Sequence, residues 1–350
     1  MDCRYVPEKC VWELTLSCNM RCIHCGSAAG KARENELTVN ECLGAADELL
    51  DLGCKHVTFI GGEVFLYKGW EEVARRLYEG GATVNTITNA FLFGDDQISQ
   101  VKYGHLANVG ISLDGMEENH NRIRNSRTSF QRVLRAFELL RSEDIPAAVV
   151  TSLLDFNFCD LDRVYDLLVD NNVKVWQIQI ATAMGNMAVQ RDILLDPAKL
   201  PLITKFIREK RNRQEIRIYA GDDIGYYDEN EPYLRNTPGT IATWQGCQAG
   251  LRVMGIDSVG NIKGCESLYS EDFIEGNLRQ ESLKDIWCKE GNFAYNRQFD
   301  VSYLSGACAE CDKGKICRGG CRGSCYFTTG SRFENAYCCY PGKSAIQAPL

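Results

Sequence analysis

No run of 18 or more apolar residues occurs in the chain, which excludes a membrane-spanning helix. The opening Met-Asp-Cys-Arg-Tyr-Val-Pro-Glu-Lys-Cys holds no apolar h-region, so no Sec-type signal peptide is expected and a cytoplasmic location is. Basic blocks are missing too. Lys+Arg number 39 against 47 Asp+Glu, a net charge of −8, which argues against nucleic acid or an anionic membrane as the main partner. Histidine is scarce, and His24, His56, His105 and His120 form no ligand cluster in the sequence. There is no internal repeat and no low-complexity tract.

What the chain has in excess is cysteine, 18 of 350 residues. In a secreted chain that would mean disulfides. In a reducing compartment dense cysteine points to metal, with zinc and iron–sulfur as the two choices. At 350 residues two domains are expected.

Up to about residue 235, short β-rich runs alternate with amphipathic stretches. Strands are predicted at Val11–Leu16, Lys55–Ile60, Thr83–Thr88, Asn108–Leu113, Ala147–Ser152 and Val175–Ile180, with a seventh at Ile216–Ala220. Thr38 with Glu41 predicts a capping box, and Gly53 closes that helix. Thr128 with Gln131 predicts another, ahead of the stripe Phe130, Val133, Leu134, Phe137 and Leu140. Asp160 is expected to cap a third helix, striped by Leu161, Val164, Leu167 and Leu168. Six strand–helix units make an α/β fold: a partial (β/α)6 TIM-like barrel, or an open doubly wound sheet. In both, ligands sit at the carboxyl ends of the strands. From residue 236 to 350 the periodicity weakens, and ten cysteines fall between Cys247 and Cys339. A segment so irregular is expected to need metal staples.

Directly after the first strand come Cys18, Cys22 and Cys25, spaced C-x3-C-x2-C. Three thiolates in one loop can hold three corners of a cubane and leave the fourth iron open. Zinc would ask for a fourth ligand, for which His24 is the one candidate.

At these residues the sequence resembles the radical SAM superfamily, over nearly the whole chain. The resemblance implies that the open iron of a [4Fe–4S] cluster binds S-adenosylmethionine (SAM), whose one-electron reduction gives a 5′-deoxyadenosyl radical. Gly61-Gly62-Glu63 is similar to the family's Gly-Gly-Glu-Pro motif, with Val64 in place of proline. By the same resemblance Asn89, in Thr88-Asn89, and Ser112 and Asp114, in Ile111–Gly115, are SAM-contacting positions. Arg124 or Arg127 lies where relatives keep a cation near the SAM carboxylate.

The C-terminal pattern resembles the SPASM domain of the same superfamily, which houses two auxiliary clusters. The resemblance implies that Cys308, Cys311, Cys317 and one of Cys338 or Cys339, with Cys338 favoured, hold the second. Cys247, Cys265 and Cys321 would hold the first, with three outcomes open for its fourth position: an open iron, a [2Fe–2S] cluster, or Cys325. A zinc ribbon on Cys308/Cys311 and Cys317/Cys321 is the competing assignment. Cys3, Cys10, Cys42, Cys54, Cys159 and Cys288 are expected to be small buried hydrophobes.

Glu266 follows Cys265 and, by resemblance to sulfatase-maturing members, is a general-base candidate. The acidic run Asp222–Asp228, rich in tyrosine, is a candidate lining of the substrate mouth. The resemblance implies a radical SAM/SPASM enzyme acting on a ribosomally made peptide by crosslinking, oxidation or epimerisation. A thiol such as Cys159 or Cys325 would serve as hydrogen donor in an epimerisation. The alternative is a small-molecule dehydrogenase or epimerase in cofactor or aminoglycoside-type biosynthesis. An electron donor of flavodoxin or ferredoxin type, and a separate peptide-recognition protein, are the expected partners.

Overall fold

The computed structural model describes residues 3–221, 223–235 and 242–340. One twisted sheet of ten strands organises the chain. Seven run in parallel in sequence order: β1 (Lys9–Glu13), β2 (His56–Ile60), β3 (Thr83–Thr88), β4 (Asn108–Ser112), β5 (Ala147–Leu153), β6 (Val175–Ile180) and β7 (Arg217–Ala220). Seven α-helices separate them: α1 (Val39–Asp51), α2 (Trp70–Glu79), α3 (Asp95–Tyr103), α4 (Glu117–Arg124), α5 (Ser129–Ser142), α6 (Leu161–Asp170) and α7 (Leu200–Asn212). The fold is the expected α/β, and the sheet stays open, with β7 at one end.

The other end was not foreseen. β8 (Val253–Ile256) pairs in parallel with β1, and β9 (Asn261–Lys263) and β10 (Gly276–Asn277) follow antiparallel, so the cysteine-rich part extends the barrel's own sheet. Lys9 and Cys10 lie opposite Val253 and Met254, which is why β1 starts two residues earlier than Val11. It also ends earlier, because the carbonyls of Thr15 and Ser17 accept from the amides of Gly62 and Glu63 instead of a ladder partner. The expected boundary at residues 235/236 abuts residues 236–241, outside the described residues, as is Asp222.

The α1 capping box forms: the Glu41 amide donates to Thr38 and the Thr38 amide to Glu41. The other two caps do not. Thr128 makes no side-chain cap, and Gln131 donates to Glu117 instead. Asp160 accepts from the Met116 amide and from Asn119, fixing the β4–α4 loop rather than α6. Both helices are carried by the burial of their apolar stripes.

Among the scattered cysteines, Cys10, Cys42 and Cys54 are buried as expected. Cys3 and Cys288 are instead joined as a disulfide, Cα atoms 5.2 Å apart, tying the N-terminal segment to the chain beyond β10. Cys159 is exposed, its thiol donating to the Phe156 carbonyl.

Candidate active site

The carboxyl ends of β1 to β6 and the turn after β9 enclose a cavity of about 460 Å³. Cys18, Cys22 and Cys25 line it together with Cys265 and Glu266. Residues from the two halves of the chain thus face one space.

The cysteine loop is held by backbone contacts. Cys18 donates its amide to the Gly30 carbonyl, Ile23 its amide to Ile123, and the Asn186 side chain its Nδ2 to the Cys22 carbonyl at 2.8 Å. Each sulfur faces an N–H: the Met20 amide at 3.4 Å for Cys18, Arg124 Nη1 at 3.8 Å for Cys22, and the Ala29 amide at 3.3 Å for Cys25. Such donors suit thiolates bound to iron. Burial pushes the Cys18 thiol up to about 11 and raises that of Cys22, so both favour the protonated thiol until a cationic group such as iron is bound. His24 also lines the cavity. Its Nε2 lies 3.4 Å from Asp114, and burial lowers its pKa to about 4, leaving it neutral. Among the described residues no three His, Cys, Asp or Glu groups converge as one metal ion requires. A cubane does not ask for that, because its thiolates go to separate irons.

Gly61 and Gly62 line the cavity for a reason the motif alone does not give. A Cβ at Gly61 would run into the Thr15 carbonyl oxygen, and one at Gly62 into that of Ser17. The glycines let this turn press flat against the start of the cysteine loop. Glu63 is buried behind the wall: its carboxylate accepts from Thr88 Oγ1 at 2.7 Å and the Asn89 amide at 2.9 Å, locking β2 to the end of β3. Asn89 reaches the cavity, donating to Asn19 Oδ1 at 2.8 Å, and Ser112 reaches it from β4.

Asp114 does not line the cavity. Its Oδ2 lies 2.6 Å from Arg124 Nη2, and its Oδ1 accepts from the Ser152 amide. Burial works against its charge, but the Arg124 guanidinium beside it holds its carboxyl below the usual range. Between the two candidate arginines the structure places Arg124 on the wall and leaves Arg127 exposed. The His24, His120 and Asp114 grouping is invisible in the sequence, since it is made by the turn between β4 and α4 meeting the cysteine loop.

Glu266 is buried, 5% exposed, and burial raises its pKa to about 7. Its Oε2 lies 3.0 Å from Lys263 Nζ on the preceding strand. Neighbouring Tyr269 and Ser258 bond to Arg33, which also pairs with Glu13. Lys263, Tyr269 and Arg33 were not singled out in the sequence. Nor were Gln177 and Gln179, both on the wall, where the alternation Val-Trp-Gln-Ile-Gln-Ile in β6 was the available signal. Gln177 donates to Gln179, which donates to Ser152. Cys159 and Cys325 do not line this cavity.

A second, small cavity is bounded by Cys308, Cys311, Cys317 and Cys338, together with Tyr226 and Tyr227. The tyrosine run expected at the substrate mouth therefore backs this cysteine set. Cys339 is not on its wall; its amide donates to the Gly225 carbonyl. Cys247 and Cys265 both flank Tyr295, whose hydroxyl is pushed well above its ordinary value by burial, then by Glu275 and these two thiols. Cys321 donates its amide to the Tyr226 hydroxyl at 3.1 Å. Cys325, fully buried, lies within electrostatic reach of Cys247, Cys308 and Cys317, between the two sets.

The family model of the radical SAM superfamily matches residues 12–168, and that of the iron–sulfur cluster-binding SPASM domain matches residues 247–312. An AdoMet-dependent heme synthase of Methanosarcina barkeri is 26% identical over 349 residues, 96% of this chain and 98% of the relative. A PqqA peptide cyclase of Bradyrhizobium diazoefficiens is 25% identical over 331 residues, 93% and 84% of the two chains. In fold, the chain is similar to Streptococcus suis SuiB bound to its precursor peptide SuiA, with a TM-score of 0.76 at 17% identity, covering 95% of this chain and 75% of that one.

Proposed function

The chain belongs to the radical SAM superfamily and carries a SPASM domain, and from that premise we propose that it abstracts hydrogen from a ribosomally made peptide and oxidises or crosslinks it. Cys18, Cys22 and Cys25 are proposed to hold the SAM-binding [4Fe–4S] cluster, with Gly61, Gly62, Asn89, Ser112 and Arg124 around the SAM. Glu63 and Asp114 act one layer behind, fixing Asn89 and Arg124. Cys308, Cys311, Cys317 and Cys338 are proposed for the second auxiliary cluster, and Cys247, Cys265 and Cys321, with Cys325 as fourth, for the first. When bound, the cluster and SAM supply the one-electron cleavage chemistry of the superfamily. The cavity, recessed at the strand ends, limits water around the reacting atoms, and of the two carboxylates that the described residues place on its wall Glu13 is paired with Arg33, leaving Glu266 as the one proposed to take a proton from substrate.

The observation that carries the peptide assignment is the neutral polar part of the cavity lining. Thr58, Ser152, Gln177 and Gln179 offer neutral donors and acceptors suited to backbone amides. Among the described residues Arg124 is the one arginine or lysine on the wall, and Asp114 occupies it. A tetrapyrrole, the second assignment, is favoured by the full-length similarity to a heme synthase. Its propionate carboxylates would find no uncommitted cation in this lining. Because neither Cys159 nor Cys325 lines the cavity, among the described residues no thiol outside the proposed ligands is on its wall to serve as the hydrogen donor of an epimerisation.

The test is co-expression with short peptides encoded beside the gene, followed by mass spectrometry. A loss of 2 hydrogens, about 2 Da, is expected, and Glu266→Gln should abolish it while 5′-deoxyadenosine still forms. Turnover of an iron porphyrin with no peptide change would overturn the assignment.

A further inference from the structure

A third cavity, of about 420 Å³, opens at the amino-terminal ends of β1 and β8, the opposite end of these strands from the cysteine loop. Four arginines line it, Arg4, Arg252, Arg297 and Arg318, with Tyr5 and Phe299 between them and no carboxylate among the lining residues. On a chain of net charge −8 this is a concentrated patch of the opposite sign. Arg252 is paired with Glu8 at the rim, and Arg297 is spent on the Gly250 and Trp287 carbonyls. Arg4 and Arg318 lean on Tyr5 and Phe299, 5.5 and 5.7 Å from the ring centres, and neither forms an ion pair with a carboxylate among the described residues.

The patch also adjoins both C-terminal cysteine sets. Gln248 on its wall follows Cys247, and Arg318 follows Cys317. The stem of Arg318 lies against Gly246, where a Cβ would sit 2.9 Å from its Cδ, so the residue before Cys247 is kept bare for that arginine. Substrate reacts at the other end of the sheet, so a ligand here does not compete with it.

We infer that this arginine-lined cavity is the docking face for an acidic electron-carrier protein of the flavodoxin kind. Three features single out that occupant: a positive rim complementary to an acidic surface, closeness to the chain's cysteine sets, and separation from the substrate cavity. Encounters between redox proteins are small and steered by charge, and a pocket of two exposed and two half-buried arginines on an acidic chain serves that purpose. The inference rests on the radical SAM function proposed above for the choice of partner.

The experiment is calorimetric titration of the cluster-loaded full chain with an acidic bacterial flavodoxin. Binding should weaken at least tenfold between about 20 and 200 mM NaCl, and again at least tenfold in the Arg4→Glu/Arg252→Glu double variant, with iron content and circular dichroism unchanged. If the double variant folds poorly, Arg4→Glu alone, at an exposed position, should still weaken binding severalfold. SAM cleavage driven by dithionite should match wild type in both. Unchanged flavodoxin affinity in a folded variant would overturn the docking face. So would an acidic precursor peptide or inorganic phosphate that binds here while flavodoxin does not. Absence of dithionite-driven SAM cleavage in the wild-type chain would instead sink the proposed function, whatever the titration gives.

Discussion

The ammonium of Lys263 lies 3.0 Å from the carboxylate of Glu266, and both side chains are almost wholly withdrawn from solvent. The pair sits where β9 meets the cysteine-loop cavity, so the charge state of that wall depends on two residues three positions apart. Removing one partner from a buried pair strands the other. Lys263→Met should therefore lower stability by about 3 kcal/mol, while Lys263→Met/Glu266→Leu should recover most of it. Thermal melts of the two variants, with clusters loaded, decide this. Equal losses would mean that the pair is not coupled.

Arg124 and Arg127 should separate cleanly. Arg124→Lys keeps a charge but not the planar fork that meets Asp114 and Cys22 together, and the Kd for SAM should rise about tenfold. Arg127→Lys, at an exposed position, should leave SAM binding unchanged.

Cys338 and Cys339 are adjacent in sequence but divided by the fold. Cys338→Ala should cost about 4 iron atoms per chain, the content of one cubane, and Cys339→Ala none. Iron analysis of anaerobically purified variants gives the answer. Wild type should hold about 12 iron atoms, or about 10 if the first auxiliary cluster is binuclear; a content near 4 would rule out clusters in the C-terminal part. Cys22→Ala should abolish 5′-deoxyadenosine formation and leave about 8.

Gln177 and Gln179 should act on substrate and not on SAM. Gln177→Leu/Gln179→Leu keeps the β6 burial pattern but removes the amides that face the cavity. SAM cleavage in the absence of peptide should stay at the wild-type rate while peptide modification falls at least tenfold, as expected when substrate amides lose their partners. Equal loss of both activities would remove these residues from the substrate side.

The sequence by itself determined the local elements and the order of the motifs. Strand periodicity, the Thr38 capping box and the C-x3-C-x2-C spacing are short-range patterns, and each depends on residues within one turn or one loop. The Thr128 and Asp160 caps failed because a side chain free to serve its own helix was claimed by a distant donor or acceptor, Glu117 for Gln131 and the β4–α4 loop for Asp160. Only the tertiary structure decided which halves meet. The pairing of β8 with β1 carries Cys265 and Glu266 to the cysteine-loop cavity across more than two hundred residues. The choices of Arg124 over Arg127 and of Cys338 over Cys339 on the cavity walls follow from chain direction at a helix end and a terminal loop. A hydrophobic pattern fixes which face of an element is buried, but parallel pairing between remote strands depends on backbone hydrogen bonds that every residue type offers alike. No side-chain code in the sequence announces it.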